Sequence, residues 1–221
     1  MKKEIIILTK SAKINGFCVA GIDIHNGEWI RLVSDDKSGE GAVSKADLTY
    51  QNGTQAKIFD LVAVECEPSP TAAQSENYLY DNRYYWKKIK TMSSEEAFAK
   101  CPLSNSQFIF ENSEKSLDDN EITGESLVLV EIDHVIINVV NEYDNIKWKV
   151  TFDYNGFKYS NISIGDISIR KKYNDYGTYK IQGRHKAVFS LTGRFEMTGK
   201  YYKMLAQLFL DDEIKPTSKN V

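Results

Sequence analysis

Short runs of alternating apolar and polar residues, each closed by turn-forming residues, recur along this 221-residue chain and restrict it to a β-rich fold. They fall at 4–9, 16–24, 28–34, 57–65, 126–138, 147–153, 157–160, 162–170, 185–192 and 201–210. The clearest hairpin signal is FCVAGIDIHNGEWIRLVS, where Asn26-Gly27 supplies the positive φ angles of a two-residue turn. Asn155-Gly156, between KWKVTFDY and FKYS, has the same chemistry. Two such turns predict antiparallel sheet, and closed barrels suit many short twisted strands because closure removes exposed edges. Helix signals cluster in the middle. Ser93 or Ser94 caps an acidic first turn in MSSEEAFAK, and YYWKKIK before it also reads as helical. Only YYKMLAQLFL is ambiguous between helix and strand, and its position favours a returning strand. The resulting plan is a first β lobe over 1–70, a helix-bearing connector with an acidic loop over 71–121, a second, basic β lobe over 122–212, and a flexible tail over 213–221.

A two-residue turn at Asn26-Gly27 sets Trp29 opposite Ile24, Arg31 opposite Ile22 and Val33 opposite Ala20. That surface is apolar except for the arginine. An unpaired buried guanidinium is too costly to persist, so Arg31 has two outlets. It pairs with an internal carboxylate, Glu40 or Glu76, or it lines a ligand groove with Trp29 as a stacking face.

The net charge of −3 hides a strong asymmetry. Between Asn145 and Leu205 twelve cations face four anions, so the rest of the chain is strongly acidic. Within RKKYNDYGTYKIQGRHK, Tyr173, Tyr176 and Tyr179 lie between Arg170, Lys171, Lys172 and the second cluster Arg184, His185, Lys186. Cations for phosphates and π faces for unstacked bases are what single-stranded nucleic acid requires. A solvated hairpin with its tyrosines packed on the sheet, or acidic and basic segments pairing with each other, explains the same residues.

The three cysteines, Cys18, Cys66 and Cys101, lack zinc or redox spacing and read as buried hydrophobes in a reducing, cytoplasmic setting. MKKEIIILTK is too short in its apolar run for a signal peptide or a membrane span. No metal or cofactor motif is present. The chain lacks a P-loop, HExxH and GxGxxG, and Gly124-Glu125-Ser126 lacks the closing glycine of a nucleophile elbow. Asp60, Glu65 and Glu67 suggest a nuclease, yet Cys66 or Glu67 stands where the catalytic lysine belongs. His25, His134 and His185 are scattered, with no base partner visible beside them. The chain therefore reads as a binder and not an enzyme.

Lys10-Ser11-Ala12-Lys13, Gly16-Phe17-Cys18-Val19-Ala20-Gly21, Gly27-Glu28-Trp29-Ile30-Arg31-Leu32-Val33-Ser34 and Gly39-Glu40 together resemble the opening of the bacterial dual OB-fold domain family. Gln74-Ser75-Glu76-Asn77 is similar to its second signature, and 187–191 with 201–206 to its C-terminal strands. Ala12 stands where the family carries arginine, which leaves Lys13 as the cation there. The resemblance implies a mainly β protein of two OB-like antiparallel barrels joined by a helix-bearing segment. It also implies a nucleic-acid or nucleotide-binding role, in the setting of prokaryotic defence. On this reading Lys10, Lys13, Trp29 and Arg31 anchor one lobe, while Arg170, Lys171, Lys172, Tyr173, Arg184, His185 and Lys186 hold a single strand, RNA before DNA, on the other. Two rivals remain: a small-ligand or modified-nucleotide sensor with Arg31, Glu76 and Asn77 in one pocket, and a protein-interaction module.

Overall fold

The isoleucine-rich segment KKEIIILTKSAK forms β1 (Lys2–Lys13), in a computed structural model that describes residues 1–36 and 39–210. It pairs antiparallel with β2 (Gly16–Asp23) along one edge and with β4 (Asp60–Pro68) along the other. β3 (Trp29–Val33) follows β2 as a hairpin and runs parallel to β5 (Asn77–Tyr80), which returns to β4. The order β1-β2-β3-β5-β4 thus closes on itself around Ile5, Ile7, Val19, Leu32, Val62 and Val64. β6 (Lys87–Thr91) extends the sheet from β4, and a short helix α1 (Ser94–Phe98) follows. Ser93 caps α1 as expected: its hydroxyl accepts from Glu96 N, and the Glu96 carboxylate accepts from Ser93 N.

The second unit begins at Leu103. β8 (Leu127–Glu142) pairs with β9 (Asn145–Tyr154), which pairs with β10 (Phe157–Ile164). β10 runs parallel to β13 (Tyr201–Leu208), and β12 (His185–Leu191) joins β13 back to β8. The helix α2 (Ile167–Lys172) lies between β10 and β12 in sequence. Two strands lie off this circuit: β7 (Ser116–Leu117) pairs with the start of β13, and β11 (Gly177–Ile181) continues the β12 edge along the far half of β8. In each unit, numbering the barrel strands one to five gives the closed order 1-2-3-5-4 with strands three and five parallel, the OB-fold connectivity. The protein is mainly β, with two closed five-stranded barrels.

Several local expectations change. The β2–β3 register is Ile22↔Trp29 and Ala20↔Arg31, two residues away from a tight Asn-Gly turn. Asp23 causes the shift. Its carbonyl accepts from Gly27 N and its carboxylate from His25 N, which holds a longer loop that Lys3 anchors at 2.8 Å. A slip of two keeps every side chain on its expected face, so Trp29 and Arg31 still share one. Asn155-Gly156 does form the two-residue turn, with both φ angles positive. Residues 162–170 do not stay extended, because the Asp166 carboxylate accepts from Ser168 N and Ile169 N and starts α2. Residues 84–90 supply the start of β6 and not a helix, and 201–208 is a strand as expected. The span 71–121 gives β5, β6 and α1 to the first unit and β7 to the second. The tail expected over 213–221 lies outside the described residues.

Candidate functional site

In the first barrel the residues expected to meet a ligand meet each other. Arg31 is 4% exposed and its Nη2 lies 3.3 Å from Glu76 Oε1, with Arg31 N also donating to the Glu76 carbonyl at 2.8 Å. Asn77 is the register partner of Arg31, is buried, and donates to Gln74 Oε1. The internal ion pair with Glu76 is therefore the outlet the guanidinium takes. Ala20 and Ile22, on the same face, are also buried, and Trp29 is half-buried. Lys10 donates to the Ala56 carbonyl and sits over the Phe17 ring, while Lys13 donates to the Glu40 carbonyl. Chain that follows β6 lies against this barrel, with Phe98 edge-on to Phe59 and the Lys100 carbonyl near Gly27. The face that OB folds present to ligands, strands two and three, is closed here.

The basic stretch of the second unit is dispersed. Arg170 donates to the Ile164 carbonyl and lies 5.3 Å over Trp148, and burial pulls its pKa down. Tyr173 is a core residue packed on Tyr179, and its carbonyl accepts from Trp148 Nε1. His185 is buried with Nε2 on the Gln182 carbonyl, and Arg184 pairs with Glu131 at 3.4 Å. Lys186 is half-buried, whereas Lys171, Lys172 and Tyr176 are exposed. The acidic segment pairs with the basic one inside this single unit: Asp119 with Arg194, and Asp118 with Lys200.

What remains open is the outer surface of β11, β8, β9 and β10. Because Val150, Phe152 and Tyr154 face the core, alternation turns Lys147, Lys149, Thr151 and Asp153 outward. On β10, Lys158 stands opposite Asp153 and Ser163 opposite Lys149, whose Nζ donates to Ser163 Oγ at 3.3 Å. On β8, Ile136, Asn138 and Val140 face the same way. β11 adds Lys180 opposite Ile136 and Thr178 opposite Asn138, its hydroxyl donating to Asn138 Oδ1. Lys147, Lys158 and Lys180 are exposed and make no ion pair among the described residues. This is the strand-two and strand-three face of the OB fold, widened by β11. The loop between its first two strands is Tyr143-Asp144, a two-residue turn with φ angles of 53° and 59° that puts Tyr143 97% into solvent. The loop between its last two strands carries exposed Phe195 and Met197.

Two buried ionisable groups lie in the second unit. Asp166 accepts from Gln207 Nε2 and Leu208 N as well as from α2, and burial keeps its pKa raised despite those bonds. Lys203 lies inside the barrel mouth, over Tyr159, and donates to the Asn112 carbonyl; burial pushes its pKa down to about 7.

The matching family model is that of the dual OB-containing domain, over residues 3–208. The chain belongs to the dual OB-containing domain family. No curated protein and no solved structure matches it. Membership agrees with the two strand circuits and makes an OB-fold binding module the coarse assignment for this dual OB domain. No helix among the described residues is long and apolar enough to cross a membrane. Lys147, Lys149, Lys158, Lys180 and Tyr143 were not singled out by the sequence reading, although KWKVTFDY carried the alternation that turns its lysines outward.

Proposed function

We propose that the second barrel of this dual OB domain binds single-stranded nucleic acid, without catalysis, across the outer face of β11, β8, β9 and β10. One observation carries the reading. Four lysines, Lys147 and Lys149 of β9, Lys158 of β10 and Lys180 of β11, project onto the outer face of one sheet, among hydroxyl and amide side chains and beside a fully exposed tyrosine. Lysines at strand spacing neutralise successive phosphates, and Tyr143 with Phe195 offers π faces to bases at the two loops that flank an OB groove.

Fluorescence anisotropy with labelled RNA and DNA single strands over a salt series tests it. Affinity falls linearly on log–log axes, and each phosphate neutralised contributes about 0.7 to the slope. The K147E/K149E/K158E/K180E variant loses at least about 100-fold in affinity at low salt and most of that slope. Absence of binding at low salt, or an unchanged slope in the variant, defeats the proposal. Stabilisation by mononucleotides without strand binding points to the sensor reading instead.

A further inference from the structure

We propose that His134 is a phosphate-contacting residue of this face that engages only when protonated, so that strand binding takes up a proton. The inference rests on the strand-binding reading of the second barrel. β8 bulges between Asp133 and Ile136, and His134 at the bulge has a left-handed φ of 49°, which turns its ring onto the outer face with 78% of the side chain exposed. Its Nδ1 lies 3.0 Å from Asp133 Oδ1 and 3.1 Å from Asp153 Oδ2. A ring nitrogen between two carboxylates carries a hydrogen. In the neutral imidazole Nε2 is then a bare acceptor, which repels a phosphate oxygen. Protonation adds a hydrogen to Nε2, turning it into a donor, and gives the ring the positive charge the cluster lacks.

The surroundings make that proton matter. Asp133 and Asp153 are direct cross-strand partners, an unfavourable pairing of like charges at the end of this face beside the Asn155-Gly156 turn. From β10, Lys158 stands opposite Asp153 but makes no ion pair with it among the described residues. From the turn before β12, Arg184 is committed to Glu131 of β8. Lys180 and Gln182 line a cavity of about 410 Å³ that has Asp133 and His134 on its wall. A second cavity, of about 430 Å³, is bounded by the same two residues with Asp153 and Glu131. With His134 neutral, this end of the face is a pair of carboxylates. With His134 charged, that pair is offset and a donor points outward.

Histidine is the side chain that changes charge near neutral pH. The test is anisotropy with a fluorescein-labelled oligouridylate of about 12 nucleotides at fixed salt, at about pH 6 and about pH 8. Affinity is about fivefold or more higher at the lower pH. The H134N variant, whose asparagine tolerates the left-handed backbone, binds with no such dependence. By linkage the unaltered protein takes up a fraction of a proton on binding, so calorimetric enthalpies differ between buffers of unequal ionisation heat. Equal affinity at the two pH values, or a dependence that survives in H134N, overturns this inference alone. No binding at either pH overturns it together with the strand-binding reading.

Discussion

The two barrels share a strand order and differ in what stands on their outer faces. In the first, the third strand presents Arg31 and the loop before the fifth presents Glu76, and the two lock together out of solvent. In the second, the corresponding strands present lysines to water. The first-strand bulges differ in the same sense. Leu8, at the register shift of β1, is fully buried, whereas His134, at that of β8, is exposed. One connectivity thus yields a barrel with a covered outer face and a barrel with an exposed one, and the difference lies in side chains that the fold does not dictate.

The largest effects come from breaking the first barrel. Arg31→Ala leaves the Glu76 carboxylate buried without its guanidinium and costs about 3–5 kcal/mol in denaturant unfolding. Replacing both partners with apolar residues of similar volume, R31M/E76L, restores most of that stability, and neither change weakens strand binding by the second barrel. Gly21→Ala has a comparable cost, more than about 3 kcal/mol, because a Cβ there falls 1.9 Å from the Ile6 carbonyl oxygen.

The second barrel gives smaller and more specific signals. Lys203 has its pKa lowered in the fold, so between about pH 7 and its ordinary value of 10.5 the unfolded chain binds more protons than the native one. Its contribution to stability is least favourable below about pH 7 and improves as pH rises through that window. The difference in melting temperature between the unaltered protein and K203M traces this rise, and a flat difference curve contradicts it. Smallest is Tyr143→Ala. It removes a stacking face for one base, weakens strand binding by about 1–3 kcal/mol and moves unfolding by less than about 0.5 kcal/mol.

The barrel architecture was legible because alternation and turn chemistry are local. Gly16, Gly21 and the Asn155-Gly156 turn each sit where the backbone requires them. The β2–β3 register was not legible, since it depends on an Asp23–Lys3 contact twenty residues apart. The Tyr143-Asp144 turn escaped notice because it adopts its positive φ angles without a glycine. For the site, the sequence posed the right alternative at Arg31, but the partner that settles it comes from β5's preceding loop, a pairing that only tertiary structure supplies. Charge clustering misled in a similar way. Acidic and basic stretches that look like opposed halves pair within one barrel, and Tyr173 lies in its core. The lysines without an ion pair among the described residues, Lys147, Lys158 and Lys180, were scattered across three strands and gathered by the sheet.

The central claim is that the second barrel's outer face, and not the first barrel's, is the strand-binding surface. Titrating an isotopically labelled sample with a short single strand, and following backbone amide resonances, tests it most directly. The expected shifts concentrate at Tyr143, Lys147, Lys149, Lys158 and Lys180, with Trp29, Arg31 and Glu76 silent. Shifts confined to β2 and β3 of the first barrel contradict it.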